Sequence, residues 1–161
     1  MKKEDVILNS IIQECQLHKK RLDFAYSKIE HWHPFTSESI DMLKDEDVSY
    51  LDQYIFRFSK LQDALGIKLF KSLLRYFGEQ VEDKTFIDLF NRLEQLGIVK
   101  NYSIWQNLRI IRNEIAHDYG KNNVELAEKI NAIMAGKKEL ESYLIQVLQY
   151  LSKKGWTNGN T

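Results

Sequence analysis

Residues 45–77 read DEDVSYLDQYIFRFSKLQDALGIKLFKSLLRYF, and Val48, Leu51, Tyr54, Ile55, Phe58, Leu61, Leu65, Leu69, Leu73 and Phe77 recur in them at steps of three and four. At about 100° per residue, that spacing stacks the apolar side chains into one stripe along a helix. The acidic run Asp45, Glu46, Asp47 suits the positive end of such a helix, and Gly78 is a natural C-terminal signal. Gly66, inside the stretch, is expected to bend the helix or to permit a close packing contact.

The same period extends to both sides. A first helix is expected from about Glu4 to His31, with Val6, Ile7, Ile11, Cys15, His18, Leu22, Ala25 and Ile29 along one side, and the only proline, Pro34, stops it. Thr36 or Ser37 caps a brief turn through Ile40 and Leu43. Beyond the 45–77 stretch, Asp83 is expected to cap a third helix that ends at Gly97. Asn101 or Ser103 starts a fourth, SIWQNLRIIRNEIAHDY, closed by Gly120. Asn123 opens a fifth that runs to about Leu151. Alternating strand patterns bounded by turn signals are missing. The expectation is an all-α fold, an antiparallel up-and-down bundle of about five helices in a single domain over 1–151, with a frayed polar tail over 152–161.

Composition narrows the function classes. The chain has 161 residues, 43% of them hydrophobic and 12% aromatic, enough to bury a real core. A lone Cys15 closes no intrachain disulfide and has no partner for a cysteine-based metal site, so a reducing cytosol fits best and a cytoplasmic location is expected. Glu4, Asp5, Asn9 and Ser10 interrupt any apolar signal core near the start, and no later run is long enough to span a bilayer, so no membrane partner is expected. Lys and Arg number 23 and Asp and Glu number 23, which removes the basic excess that usually announces nucleic-acid binding. The balance is uneven along the chain: residues 34–66 hold seven acids and three bases, and residues 101–161 hold eight bases and six acids. Any nucleic-acid function must therefore rest on a local site.

Several chemistries are set aside. The seven glycines never cluster, so there is no phosphate-cradling loop, and no HExxH or EF-hand spacing appears. His31 and His33 flank Trp32 before Pro34, a pair better explained as a helix terminus with histidines facing bare carbonyls than as a metal site. Neither a metal nor a cofactor is expected. His18 falls on an apolar stripe and reads as a satisfied core or interface histidine. Lys68, Lys71 and Arg75 form a charged row of the kind that is usually solvated surface.

The fourth helix is more informative. Ile104, Leu108, Ile111 and Ile115 fall in a narrow stripe that is expected to face the core. Gln106, Ile110, Asn113 and His117 then lie on roughly the opposite side, with Asn113 one turn before His117. Arg112 and Tyr119, seven residues apart, share a flank between the two faces. An exposed Ile110 beside these polar groups suggests a partner contact, and Trp105, on the Arg112 side, adds to that suspicion.

Residues 112–119 read R-N-E-I-A-H-D-Y, which resembles the signature of HEPN-superfamily proteins and, with Tyr two residues after His, the R-x4-H-x-Y form of the HepT-like toxins. The segment YIFRFSKLQDALG, residues 54–66, is also similar to the second long helix of HEPN proteins encoded beside nucleotidyltransferases. The resemblance implies a metal-independent endoribonuclease acting as a homodimer, with the two motif helices facing each other across a cleft.

Attack of a ribose 2′-OH on its own phosphate needs a base, an acid and cationic stabilisation, and no metal. One chain offers one well-placed histidine, and a two-fold dimer adds a second His117 and Arg112 to the same cleft. By this resemblance Arg112 and His117 are catalytic, Asn113 and Arg109 support them, RNA is the substrate, and the product carries a 2′,3′-cyclic phosphate. The resemblance also implies a cognate MNT-type nucleotidyltransferase antitoxin that neutralises the toxin by transferring AMP to Tyr119. The alternative is a catalytically silent HEPN binding subunit that presents substrate or nucleotide to a partner nucleotidyltransferase.

Overall fold

The computed structural model describes residues 2–118 and 122–156, the side chains of His117 and Asp118 excepted. Every regular element among these residues is helical: α1 (Lys3–Ile29), α2 (Ser37–Met42), α3 (Asp45–Asp63), α4 (Phe70–Tyr76), α5 (Phe86–Gln95), α6 (Tyr102–Asp118), α7 (Asn123–Ala135) and α8 (Lys137–Lys153). The fold is the expected all-α bundle.

Local chemistry accounts for the starts. Asp47 accepts a hydrogen bond from the backbone N–H of Lys44 (3.0 Å) at the head of α3. Thr85 and Asp88 cap α5 reciprocally, each side chain accepting from the other's backbone N–H at 3.2 Å. Thr85, not Asp83, therefore caps this helix; Asp83 sits two residues earlier at φ 62°, a turn conformation. The Asn122 side chain caps α7, accepting from the N–H groups of Val124 and Glu125.

Two long helices depart from their sequence-based bounds. The 45–77 stretch is interrupted by a wide π turn over Ala64–Leu69, where the Phe70 N–H donates to the Leu65 carbonyl. The expected fifth helix is two, α7 and α8, divided at Gly136. A Cβ there would stand 2.9 Å from Leu108 Cδ2, so the missing side chain is what admits α6. Ladder contacts give the directions. Glu14 meets Lys68, His18 meets Arg57 and Phe24 meets Tyr50, so α1 runs antiparallel to α3 and α4. Arg112 meets Asp63 while Trp105 meets Phe70, so α6 also opposes α3 and α4.

The core is continuous, and its densest part is aromatic. Trp105 lies 5.2 Å from Phe70, 5.8 Å from Phe86 and 5.1 Å from Tyr143, centroid to centroid. Polar clamps fasten the periphery to it. The Tyr54 hydroxyl donates to the Ile133 carbonyl (2.7 Å), and the Asn131 side chain holds both the N–H and the carbonyl of Phe35. Lys137 joins Asp23 and Glu141 at 2.7 Å each. At the far end Gly155 adopts φ 80°, and the chain turns there to lay Trp156 against the core. No described helix is long and apolar enough to cross a membrane.

Candidate functional site

The buried positions of α6 are Trp105, Leu108 and Ile115, with Ile104 and Ile111 partly buried beside them. The stripe is thus rotated toward Trp105 relative to the sequence-based one. Trp105 is 2% exposed, so it is a core residue and not a partner contact. The rotation has a second consequence. Arg112 falls on the line from Leu108 to Ile115, at the inner edge of α6 facing α3, where an apolar side chain would ordinarily stand.

Asp63, the last residue of α3, makes that position tolerable. Its two carboxylate oxygens accept from Arg112 Nη1 (2.6 Å) and Nη2 (3.2 Å), a bidentate fork between half-buried groups. A guanidinium has five N–H donors, and among the described residues Asp63 takes two of them, leaving three that could meet another anion. One turn earlier, Arg109 is exposed and has no ion pair among the described residues.

Arg109 and Arg112 border a cleft of about 210 Å³. Its other walls are Gln62 and Asp63 from α3, Gly66 and Ile67 from the π turn, Phe86 and Trp105. Gly66 is required: a Cβ would stand 2.7 Å from Trp105 Cζ2, so the π turn brings backbone directly against the indole. Gln62 is the one polar side chain among the buried residues described, 2% exposed, and neither amide atom has a hydrogen-bond partner among them. Trp105 Nε1 is likewise unpartnered.

Of the expected site residues, Arg109 and Arg112 meet on this cleft, and Asn113 lies exposed on the outer side of α6. The α6 backbone carries His117 as a helical residue, but its side chain lies outside the described residues, and Tyr119 and Gly120 lie outside them altogether. Five residues of helix separate positions by about 140° and 7.5 Å. Positions 112 and 117 therefore lie on different faces of the α6 backbone. Ile110 is 54% exposed, as expected, and Phe56 (50%) on α3 and Ile67 (70%) in the π turn are exposed apolar side chains as well. Asp63 and Gln62 were not singled out in the sequence. Their signal was there: Gln62 stands four residues after Phe58 and three before Leu65, a polar residue on an otherwise apolar stripe.

The remaining candidates have structural partners. Burial lowers the His18 pKa, opposed by Glu14 and reinforced by Arg57, and Nδ1 lies 3.0 Å from Arg57 Nη1. The ring is thus a neutral acceptor toward Arg57. Lys68 pairs with Glu14 and Arg75 with Glu82, each at 2.8 Å, so two of the three cations in that row are occupied. No group of three or more His, Cys, Asp or Glu suited to a metal occurs among the described residues.

No family model, curated protein or solved structure matches this chain.

Proposed function

We propose that this chain is a HEPN-superfamily, HepT-like endoribonuclease that works without a metal as a homodimer, and that a cognate nucleotidyltransferase neutralises it by attaching AMP to Tyr119. The observation that carries the reading is the placement of Arg112. It is the first residue of the R-x4-H-x-Y sequence, and it is held in a fork by Asp63 at a cleft, with three N–H groups that have no partner among the described residues.

In the proposed reaction the ribose 2′-OH attacks the adjacent phosphorus and the 5′-oxygen leaves. One His117 removes the 2′ proton, and the His117 of the second protomer delivers a proton to the leaving oxygen. Arg112 stabilises the phosphorane, and Arg109 adds the uncompensated charge that draws the phosphate in. The divergence of positions 112 and 117 on one helix favours assembling the site from two chains. Ile67 at the cleft and the exposed apolar residues Phe56 and Ile110 elsewhere on α3 and α6 offer surface for a self-complementary contact. AMP on Tyr119 would place an anion near the phosphate site and obstruct it by charge and bulk.

One observation favours the silent binding subunit instead: Asp63 compensates the charge of Arg112 before any phosphate arrives. The two readings separate on bulk cellular RNA. Under the proposal, wild-type protein cuts it, and His117→Ala and Arg112→Ala each slow cutting by about 10²-fold or more, the range of a lost acid–base or electrostatic group. A wild-type dimer that leaves RNA intact, or variants that cut as well as wild type, would favour the binding subunit.

A further inference from the structure

Gln62 and Trp105, each 2% exposed, are the buried side chains among the residues that line the cleft beside Arg112. Three buried polar atoms there lack partners among the described residues: Gln62 Nε2, Gln62 Oε1 and Trp105 Nε1. Buried polar groups in folded proteins are nearly always satisfied, so a cluster of orphans on one cleft points to something that binds there. The walls indicate its shape. Phe86 and Trp105 are aromatic and lie within 5.8 Å of each other at an interplanar angle of 24°, and Ile67 closes the apolar side. At about 210 Å³ the cleft falls below the range of about 300–1,000 Å³ typical of sites for drug-sized ligands, which suits one flat ring system. The rim indicates charge: Arg109 and Arg112 select a ring attached to an anion. A π turn at such a place is a common mark of a functional site, and here it sets the Gly66 backbone against Trp105.

We propose that this cleft is a base-reading subsite: a nucleobase of the bound RNA seats beside Trp105 and Phe86, Gln62 hydrogen-bonds its edge, and the attached phosphate lies on Arg109 and Arg112. A primary amide offers a donor next to an acceptor, and glutamine makes its bidentate base contact with adenine, so adenine is the base expected. The role in RNA cleavage rests on the ribonuclease reading; the binding itself does not. An ordered water satisfying Gln62 is the competing account.

Calorimetric titration of the full chain with adenosine 5′-monophosphate and, separately, inorganic phosphate distinguishes them. The nucleotide is expected to bind at least tenfold more tightly than phosphate. Gln62→Leu should weaken it at least tenfold, and Ile67→Trp, a change at an exposed rim position, should block it. Gln62→Leu removes an unpartnered buried amide and should not lower the thermal unfolding midpoint, so lost binding will not reflect lost folding. Wild-type protein that binds the nucleotide no better than phosphate, or variants that bind it as wild type does, would overturn the proposal. A chain that cuts RNA yet fails this titration keeps its ribonuclease reading and loses the base pocket. One that binds the nucleotide through Gln62 yet leaves RNA intact does the reverse.

Discussion

Asp63 acts on Arg112 in two opposed ways. It fixes the guanidinium plane, which in the proposed reaction would favour a positioned transition state, and it cancels charge, which would disfavour phosphate in the ground state. Asp63→Ala should therefore lower kcat by about tenfold to a hundredfold through lost positioning, without raising KM for RNA. Steady-state kinetics separate the two constants, and a raised KM at unchanged kcat would show that Asp63 only shapes binding. Because both groups are about a third exposed, the stability cost should stay within about 1 kcal/mol.

His18 gives a pH signature. Its folded pKa lies below the ordinary histidine value, chiefly through burial, so between those two pH values the unfolded chain binds a proton that the native chain does not. Native stability therefore falls as pH drops through about 6.5. His18→Gln should flatten that part of the melting-temperature profile measured between pH 8 and pH 5.

At the scale of elements, two glycines separate kinds of close contact. Gly66→Ala drives a Cβ into Trp105 Cζ2, and the indole is locked among Phe70, Phe86 and Tyr143. Overpacking of this kind costs about 1–3 kcal/mol, offset by up to about 1 kcal/mol of helix propensity. Gly136→Ala brings its Cβ to 2.9 Å from a terminal methyl of Leu108, with Ala132 O and Phe58 Cζ at ordinary contact distance, and a rotatable methyl yields more easily than a locked indole, so thermal melts should show it the milder change.

The same elements show what could be read from the chain. The stripe from Val48 to Phe77 is long and regular, and the helices it implied are present, because hydrophobic period is the strongest local signal. Gly66 announces the close packing contact it makes with Trp105 but not the π turn around it, because i→i+4 and i→i+5 backbone geometries accept the same residues. Asp is a good cap, which points to Asp83, but Thr85 with Asp88 three residues on makes the reciprocal pair. On α6, counting aliphatic residues set the stripe one step away from Trp105, and the largest buried side chain moved it. The partner of Arg112 could not be read, because it lies 49 residues away in sequence.

At the scale of the whole molecule, equal numbers of acids and bases argue against broad electrostatic capture of RNA, so the proposed activity depends on local charge in a shared cleft. The exposed Ile110 provides a test of that sharing. Ile110→Glu should leave the melting temperature of the chain nearly unchanged, shift light scattering from dimer to monomer, and abolish RNA cleavage together with the dimer. A monomer that still cuts at the wild-type rate would place the whole site in one chain.

The central claim is metal-free RNA cleavage by Arg112 and His117, and the chemistry of the cut ends tests it most directly. Wild-type protein incubated with bulk RNA in excess chelator is predicted to leave 2′,3′-cyclic phosphate and 5′-hydroxyl ends, and His117→Ala is predicted to cut about 10²-fold more slowly or not at all. Intact RNA with the wild-type protein, or 5′-phosphate ends, or equal cutting by His117→Ala, would contradict the account.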